Sequence, residues 1–93
     1  MARHAVKLRI EGHVQGVGYR WWAIEAARKR GLDGWVRNKR DGSVELLAIG
    51  EPDAIDGLAL ACATGPSGAK VTVVAPTAAE DDGSTGFREK ATV

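Results

Sequence analysis

Apolar and charged residues alternate near the start of the chain, and this period of two is typical of a half-buried β-strand. Val6, Leu8 and Ile10 are the apolar positions of that pattern. From about residue 20 to residue 30 the period becomes that of an amphipathic helix, and Gly31 follows as a stop signal. The first third of the chain therefore predicts a strand, a glycine-rich turn and a helix.

The rest of the chain contains further apolar patterns separated by turn signals. The elements predicted from them are strands at about Gly34–Lys39 and Ser43–Ile49, a helix from Pro52 to Gly65-Pro66, a strand at Ala69–Ala75, an acidic loop over Pro76–Ser84 and a weak last strand at Phe87. The order β-α-β-β-α-β predicts a ferredoxin-like α+β sandwich, an antiparallel sheet with two helices packed on one face. At this length we expect one domain over residues 1–93.

Composition narrows the class of protein without giving its function. The chain is 44% hydrophobic and 27% charged, which is ordinary for a globular protein. No apolar run approaches the roughly 18 residues that span a bilayer, and the first residues lack a signal-peptide core. Cys62 is the single cysteine, which excludes an internal disulfide and a multi-cysteine zinc site. We expect a cytoplasmic protein with no membrane partner, and Cys62 as a small core residue.

The net charge of +1 conceals a split between the two parts of the chain. Residues 1–40 carry a net charge of +7, and residues 41–93 carry −6. An anionic partner for the basic part is one interpretation. Two solvated surfaces are the other, and the charge pattern by itself favours them.

The segment from Gly12 to Arg20 lies between the predicted strand and the predicted helix. Gly16 and Gly18 lack Cβ atoms, so backbone N–H groups there can converge on an anion at the helix N-terminus. Arg20 could hold two phosphate oxygens with its guanidinium group. The segment matches neither a P-loop nor the complete G-x-G-x-x-G pattern. A phosphate site and a tight turn with no ligand are both open on this segment alone.

A second segment, from Gly31 to Val44, gives the first one a context. It reads Gly-Leu-Asp-Gly-Trp-Val-Arg-Asn and continues to Asp41-Gly42-Ser43-Val44. With these two segments, in this order and spacing, the chain resembles the acylphosphatase family. The family's first motif, Gly-x-Val-Gln-Gly-Val-x-Phe-Arg, is matched with Tyr19 in place of phenylalanine. Ser67 stands where a second proline is frequent, and the stretch after Phe87 matches poorly.

The resemblance implies hydrolysis of a carboxyl–phosphate anhydride to a carboxylate and inorganic phosphate. It also implies that Asn38 orients the attacking water and that Arg20 and loop amides bind the phosphoryl group. The phosphate-binding residues expected in this way are Gln15, Gly16, Val17, Gly18, Tyr19 and Arg20. We expect no cofactor and no metal, a small-molecule acyl phosphate as the partner, and a monomer. A substrate phosphate oxygen is our hypothesis for the missing base.

Two other functions compete with this interpretation. A non-catalytic anion-binding module on the same scaffold would not need both Arg20 and Asn38. A nucleic-acid-binding protein would use the basic part of the chain, but the net charge is only +1 and no RNA-recognition motif is present. We therefore expect no nucleic-acid partner.

The remaining candidate residues have simpler interpretations. His4 and His13 are the only histidines, and neither has a partner at metal-ligand spacing, so we assign no metal to them. His13 adjoins the glycine loop and is expected to be an exposed loop residue. Trp22 and Trp35 are expected to anchor the core, and Trp21 to be partly exposed.

Overall fold

The computed structural model describes residues 3–93 and contains five strands and two helices in that range. They are β1 (His4–His13), α1 (Tyr19–Lys29), β2 (Asp33–Asn38), β3 (Val44–Gly50), α2 (Pro52–Cys62), β4 (Lys70–Ala78) and β5 (Phe87–Glu89). The predicted ferredoxin-like α+β fold is confirmed. Among these residues no helix is long and apolar enough to cross a membrane.

The five strands form one sheet in the order β4-β1-β3-β2-β5. The pairs β1–β3, β1–β4 and β2–β3 are antiparallel, as expected, whereas β5 pairs with β2 in parallel. The parallel pair arises because β4 and β5 lie at opposite edges of the sheet, so the connection between them crosses the sheet instead of turning back as a hairpin. The sheet is therefore mixed at its β5 edge.

β4 is longer than the pattern predicts, since it includes Pro76 and ends at Ala78. Pro76 has no N–H to donate to a neighbouring strand, which makes a loop the natural interpretation from sequence. The strand tolerates this proline because it is at the edge of the sheet and pairs only with β1. The predicted acidic loop accordingly begins after residue 78.

The core fills the space between one sheet face and the two helices. Leu8, Ile10 and Leu46 on the sheet have no exposed surface, and neither do Leu58 and Cys62 on α2. The prediction that Cys62 is a core residue is thus confirmed. Trp22 is half-buried against this core, with its ring centroid 5.3 Å from that of the buried Tyr19.

Trp35 is buried, as expected, but on the sheet face that carries no helices. Side chains alternate between faces along a strand, so Trp35 and the core residue Val36 point in opposite directions. Trp35 packs with Leu47 and Ile49, and its indole N–H donates to Asp82 at 3.1 Å. The acidic loop thus covers a second, smaller apolar cluster.

Ion pairs join the basic and the acidic parts of the chain. Arg9 contacts Asp41 at 2.8 Å, and Arg3 contacts Asp81 at 2.8 Å. Hydrogen bonds from Ser43, and then Arg9, hold the pKa of the Asp41 carboxyl below its usual range, and Arg3 does the same for the pKa of Asp81. Some basic residues of positions 1–40 are therefore paired with acidic residues of positions 41–93. Neither interpretation of the charge pattern anticipated this pairing.

Candidate active site

A cavity of about 170 Å³ lies between the start of α1 and the end of β2. The residues that line it include Gly16, Gly18, Arg20, Asn38 and Glu89. The fold thus brings Arg20 and Asn38, the two residues expected to act on substrate, to a single cavity. Trp21, with 71% of its surface exposed, also lines it.

Two glycines give the loop between β1 and α1 its shape. Gly16 has φ of 75° and Gly18 has φ of 77°, a left-handed conformation that side chains disfavour. Gly18 is also the N-cap of α1, and a Cβ atom at either glycine would have open space within 4 Å. Among residues 3–93, the N–H groups of residues 16–20 have no hydrogen-bond acceptor. Free N–H groups at a helix N-terminus favour an anionic ligand.

Arg20 lies in the first turn of α1, and its guanidinium is held at one nitrogen. Nη1 donates to Oε2 of Glu89 at 2.5 Å, with 37% of the arginine side chain and 50% of the glutamate side chain exposed. Among the described residues this is the only acceptor of the Arg20 guanidinium. The group therefore reaches the cavity with donors still open to a ligand.

Asn38 is the last residue of β2, where the sheet holds its backbone in place. It pairs with Val44 of β3, and its carbonyl accepts from the N–H of Val93 at 3.3 Å. The side-chain oxygen Oδ1 is buried and has no hydrogen-bond partner among the described residues. A buried acceptor without a donor costs about 1–3 kcal/mol, and a donor such as water removes that cost.

Gln15 uses its side chain to join the glycine loop to the turn between β2 and β3. Its Nε2 donates to the carbonyl of Lys39 at 2.7 Å and to that of Ser43 at 2.9 Å. Sequence reasoning assigned Gln15 to the phosphate and missed this contact, since nothing in the local pattern signals a bond across 24 residues. The backbone N–H of Gln15 remains a candidate ligand group, but the side-chain Nε2 is already used in these two hydrogen bonds.

The side chains of Val17 and Tyr19 are engaged in contacts with other parts of the chain. Val17 is half-buried beside Gly68, and Tyr19 is 2% exposed, with its hydroxyl donating to the carbonyl of Cys62 at 2.7 Å. Only backbone amides of these two residues could contact a ligand. Burial raises the pKa of the Tyr19 hydroxyl, and it raises the pKa of the Cys62 thiol to about 11. Neither group can serve as a base or a nucleophile at neutral pH.

Glu89 is the charged residue of the cavity that sequence reasoning missed. It ends β5, in the stretch that matched the family motifs poorly, and its two neighbours in sequence are basic. A carboxylate facing a predicted phosphate site has no sequence signal, because the pairing of β5 with β2 decides where it lies. His4 and His13 are exposed and lie outside this cavity. Within residues 3–93, no group of three or more metal-binding side chains comes together.

Known proteins are similar to this chain in sequence and in fold. A family model described as Acylphosphatase matches residues 6–89. The acylphosphatase of Acidiphilium cryptum is 42% identical over 92 residues, which cover 99% of this chain and 98% of that protein. The crystal structure of acylphosphatase from Bacillus subtilis is 36% identical with a TM-score of 0.89, covering 92% of this chain and 97% of that one. An acylphosphatase from Coxiella burnetii is 32% identical with a TM-score of 0.91, covering 96% of this chain and 94% of that one. The chain therefore belongs to the acylphosphatase family and is an enzyme of that family.

Proposed function

We propose that the enzyme hydrolyses acyl phosphates without a metal ion, using Arg20 and loop amides for the phosphoryl group and Asn38 for the water. One observation carries this proposal. Asn38, whose buried Oδ1 has no hydrogen-bond partner among the described residues, lines the same cavity as Arg20 and the glycine loop. An anion site and an acceptor that lacks a donor are what phosphoryl transfer to water requires side by side.

The phosphoryl group is bound by charge and by hydrogen bonds. Free N–H groups from Gly16 to Arg20 face it at the positive end of α1, and the Arg20 guanidinium donates from the side. Because these donors belong to a helix start and to a loop that the Gln15 side chain ties to the β2–β3 turn, they need little rearrangement as charge develops on the phosphoryl oxygens. Such preorganised donors typically supply a large part of the catalytic effect.

The water is positioned by Asn38. Its Oδ1 accepts a hydrogen bond from the water, which leaves a lone pair of the water oxygen to attack phosphorus. The new P–O bond forms as the bond between phosphorus and the acyl oxygen breaks, and the carboxylate leaves with the electron pair. An amide is too weak a base to take the proton at neutral pH. We propose that a phosphoryl oxygen of the substrate receives it.

Turnover of benzoyl phosphate in the presence of EDTA tests this function. We expect hydrolysis by the parent enzyme, and a loss in kcat/KM of roughly 10²- to 10³-fold on Arg20→Ala or Asn38→Ala. Lys29→Ala is the control, since it removes a cation from the last turn of the same helix. No turnover above the uncatalysed rate in the parent, or full activity of either variant, would refute the assignment.

Arg20→Lys separates the two ways in which a cation could act. A lysine keeps the charge but cannot reproduce the planar pair of donors, so we expect a loss in kcat/KM close to that of the alanine variant. If Arg20→Lys were as active as the parent, charge alone would suffice and the two-oxygen contact would be wrong.

We also propose that the enzyme is a cytoplasmic monomer. The buried free thiol of Cys62 is typical of a reducing compartment, and the large exposed apolar side chains are few and include Trp21 and Leu60. Light scattering coupled to size exclusion should give a mass near 9.8 kDa. A mass of twice that value would contradict the monomer.

A further inference from the structure

Glu89 forms an ion pair with the guanidinium of Arg20. In the proposed function the same guanidinium binds the phosphoryl group of the substrate. Oε2 of Glu89 accepts from Nη1 of Arg20 at 2.5 Å, and both side chains line the cavity with Asn38. Two anions, the carboxylate and the phosphoryl group, thus require the same cation. The Glu89 carboxylate is therefore positioned to affect the binding of phosphate at Arg20.

The fold fixes this position of Glu89. β5 pairs with β2 in the register Gly34 with Phe87 and Val36 with Glu89. Phe87 is buried in the core beneath the helices, and the period of two therefore directs Glu89 to the same side, where α1 begins. Lys90 points the other way, with its ammonium 4.5 Å from the Trp35 ring centroid.

The backbone around Glu89 is anchored on both sides. Two guanidinium nitrogens of Arg28 donate to the carbonyl of Phe87, at 3.0 and 3.2 Å, and the N–H of Lys90 donates to the carbonyl of Val36 at 2.9 Å. The carboxylate is thus carried on a fixed strand and not on a free tail. Its side chain is nevertheless half exposed, so it can leave Arg20 when a stronger ligand arrives.

We propose that Glu89 competes with phosphate for Arg20 and so weakens the binding of both the acyl phosphate and the inorganic phosphate product. This inference rests on the proposed function. An exposed ion pair of this kind is worth up to about fivefold in an equilibrium constant. Repulsion between the displaced carboxylate and the phosphoryl group adds to that factor. The benefit to the reaction is faster departure of inorganic phosphate, whose negative charge otherwise holds it to the loop.

Glu89→Gln removes the charge and keeps the size of the side chain. For this variant we expect the KM for benzoyl phosphate and the inhibition constant of inorganic phosphate both to fall by roughly three- to tenfold. Glu89→Asp keeps the charge and should bind phosphate as weakly as the parent, or nearly so. Glu51→Gln is the matched control, because Glu51 follows β3 at the end opposite Asn38, roughly 20 Å away.

Binding of inorganic phosphate is measured separately from turnover, by following the Gly16 and Gly18 amide signals in NMR spectra. A parent that binds phosphate at the loop but hydrolyses nothing would defeat the proposed function alone, and the ratio of dissociation constants would still judge Glu89. Equal phosphate affinity in the parent and Glu89→Gln overturns the inference. So does a tenfold loss in kcat at unchanged KM, which would mean that the carboxylate assists the water instead.

Discussion

Replacement of Gln15 by methionine should remove the side-chain link between the glycine loop and the turn that follows Asn38. The side chain donates to the carbonyls of Lys39 and Ser43, on either side of the β2–β3 turn, and Lys39 directly follows Asn38. Methionine has a similar length and fills the same space, but it cannot donate a hydrogen bond. The change therefore removes two hydrogen bonds and little packing.

The structure sets the size of the effect on stability. Each carbonyl keeps a second donor, since Gly42 donates to that of Lys39 at 3.1 Å and Lys39 donates to that of Ser43 at 2.9 Å. Neither acceptor is left without a partner, so the loss is about two net hydrogen bonds, or roughly 1–2 kcal/mol of unfolding free energy. For a domain of this size the Tm should fall by roughly 5–15 °C.

The effect on catalysis follows from the position of Asn38. A turn that is no longer tied to the glycine loop lets Asn38 move relative to Arg20, and we expect kcat to fall by about tenfold, since misplacement by 1 Å can cost as much as 10². The same change made in Asn38→Ala should reduce kcat less than about twofold, because the group that Gln15 positions is already gone. Thermal unfolding and benzoyl phosphate kinetics on all four proteins complete the cycle. An unchanged Tm, or an equal loss of kcat in both backgrounds, would refute this role of Gln15.

Three further predictions concern the fold. Gly34 has φ of 132°, and a Cβ atom there would lie 1.9 Å from a carbonyl oxygen of β3, so Gly34→Ala should lose more than about 4 kcal/mol in urea unfolding; a loss below about 1 kcal/mol would contradict the close approach of the two strands. Burial raises the pKa values of Cys62, to about 11, and of Tyr19, so the native state keeps protons that the unfolded chain releases. The unfolding free energy should therefore fall as pH rises above about 9, less steeply in Cys62→Ala, and an identical slope would exclude the thiol. Hydrogen bonds within the turn and an ion pair lower the pKa of Asp41, so its contribution should disappear as pH falls below about 4; the unfolding free energy of Asp41→Asn should vary less over that range, and equal acid sensitivity would count against it.

Most of the fold could be predicted from the sequence because most local signals agree with the final packing. Alternation places Leu8 and Ile10 on one side of β1, and helical spacing places Leu58 and Cys62 on the buried side of α2. The parallel partner of β2 could not be predicted, because Phe87–Glu89 is too short to carry a pattern and its pairing depends on the path of the preceding loop. The pattern assigns Pro76 to a loop, wrongly, since local rules do not tell an edge strand from an inner one.

In the candidate site, too, the local features could be predicted and the long-range contacts could not. Arg20, Asn38 and the glycine loop were found because their residue types match family motifs that are close together in sequence. The Gln15 contact and the Glu89 ion pair join positions 24 and 69 residues apart, and both depend on strand register. A motif identifies the residue types that are expected to contact the substrate. It does not identify the residues that position those side chains or compete with the substrate for them.

The exceptions to ordinary folding rules support the location of the site independently of the motifs. Gly16 and Gly18 adopt left-handed backbone conformations, Asn38 keeps a buried acceptor without a donor, and Glu89 accepts a hydrogen bond from the guanidinium of Arg20. Each of these features costs stability or yields little of it, and all of them line one cavity. Selection for stability alone would have replaced Asn38 with an apolar residue. The coincidence of these features in one place is best explained by a ligand that supplies the missing donor and acceptors when it binds.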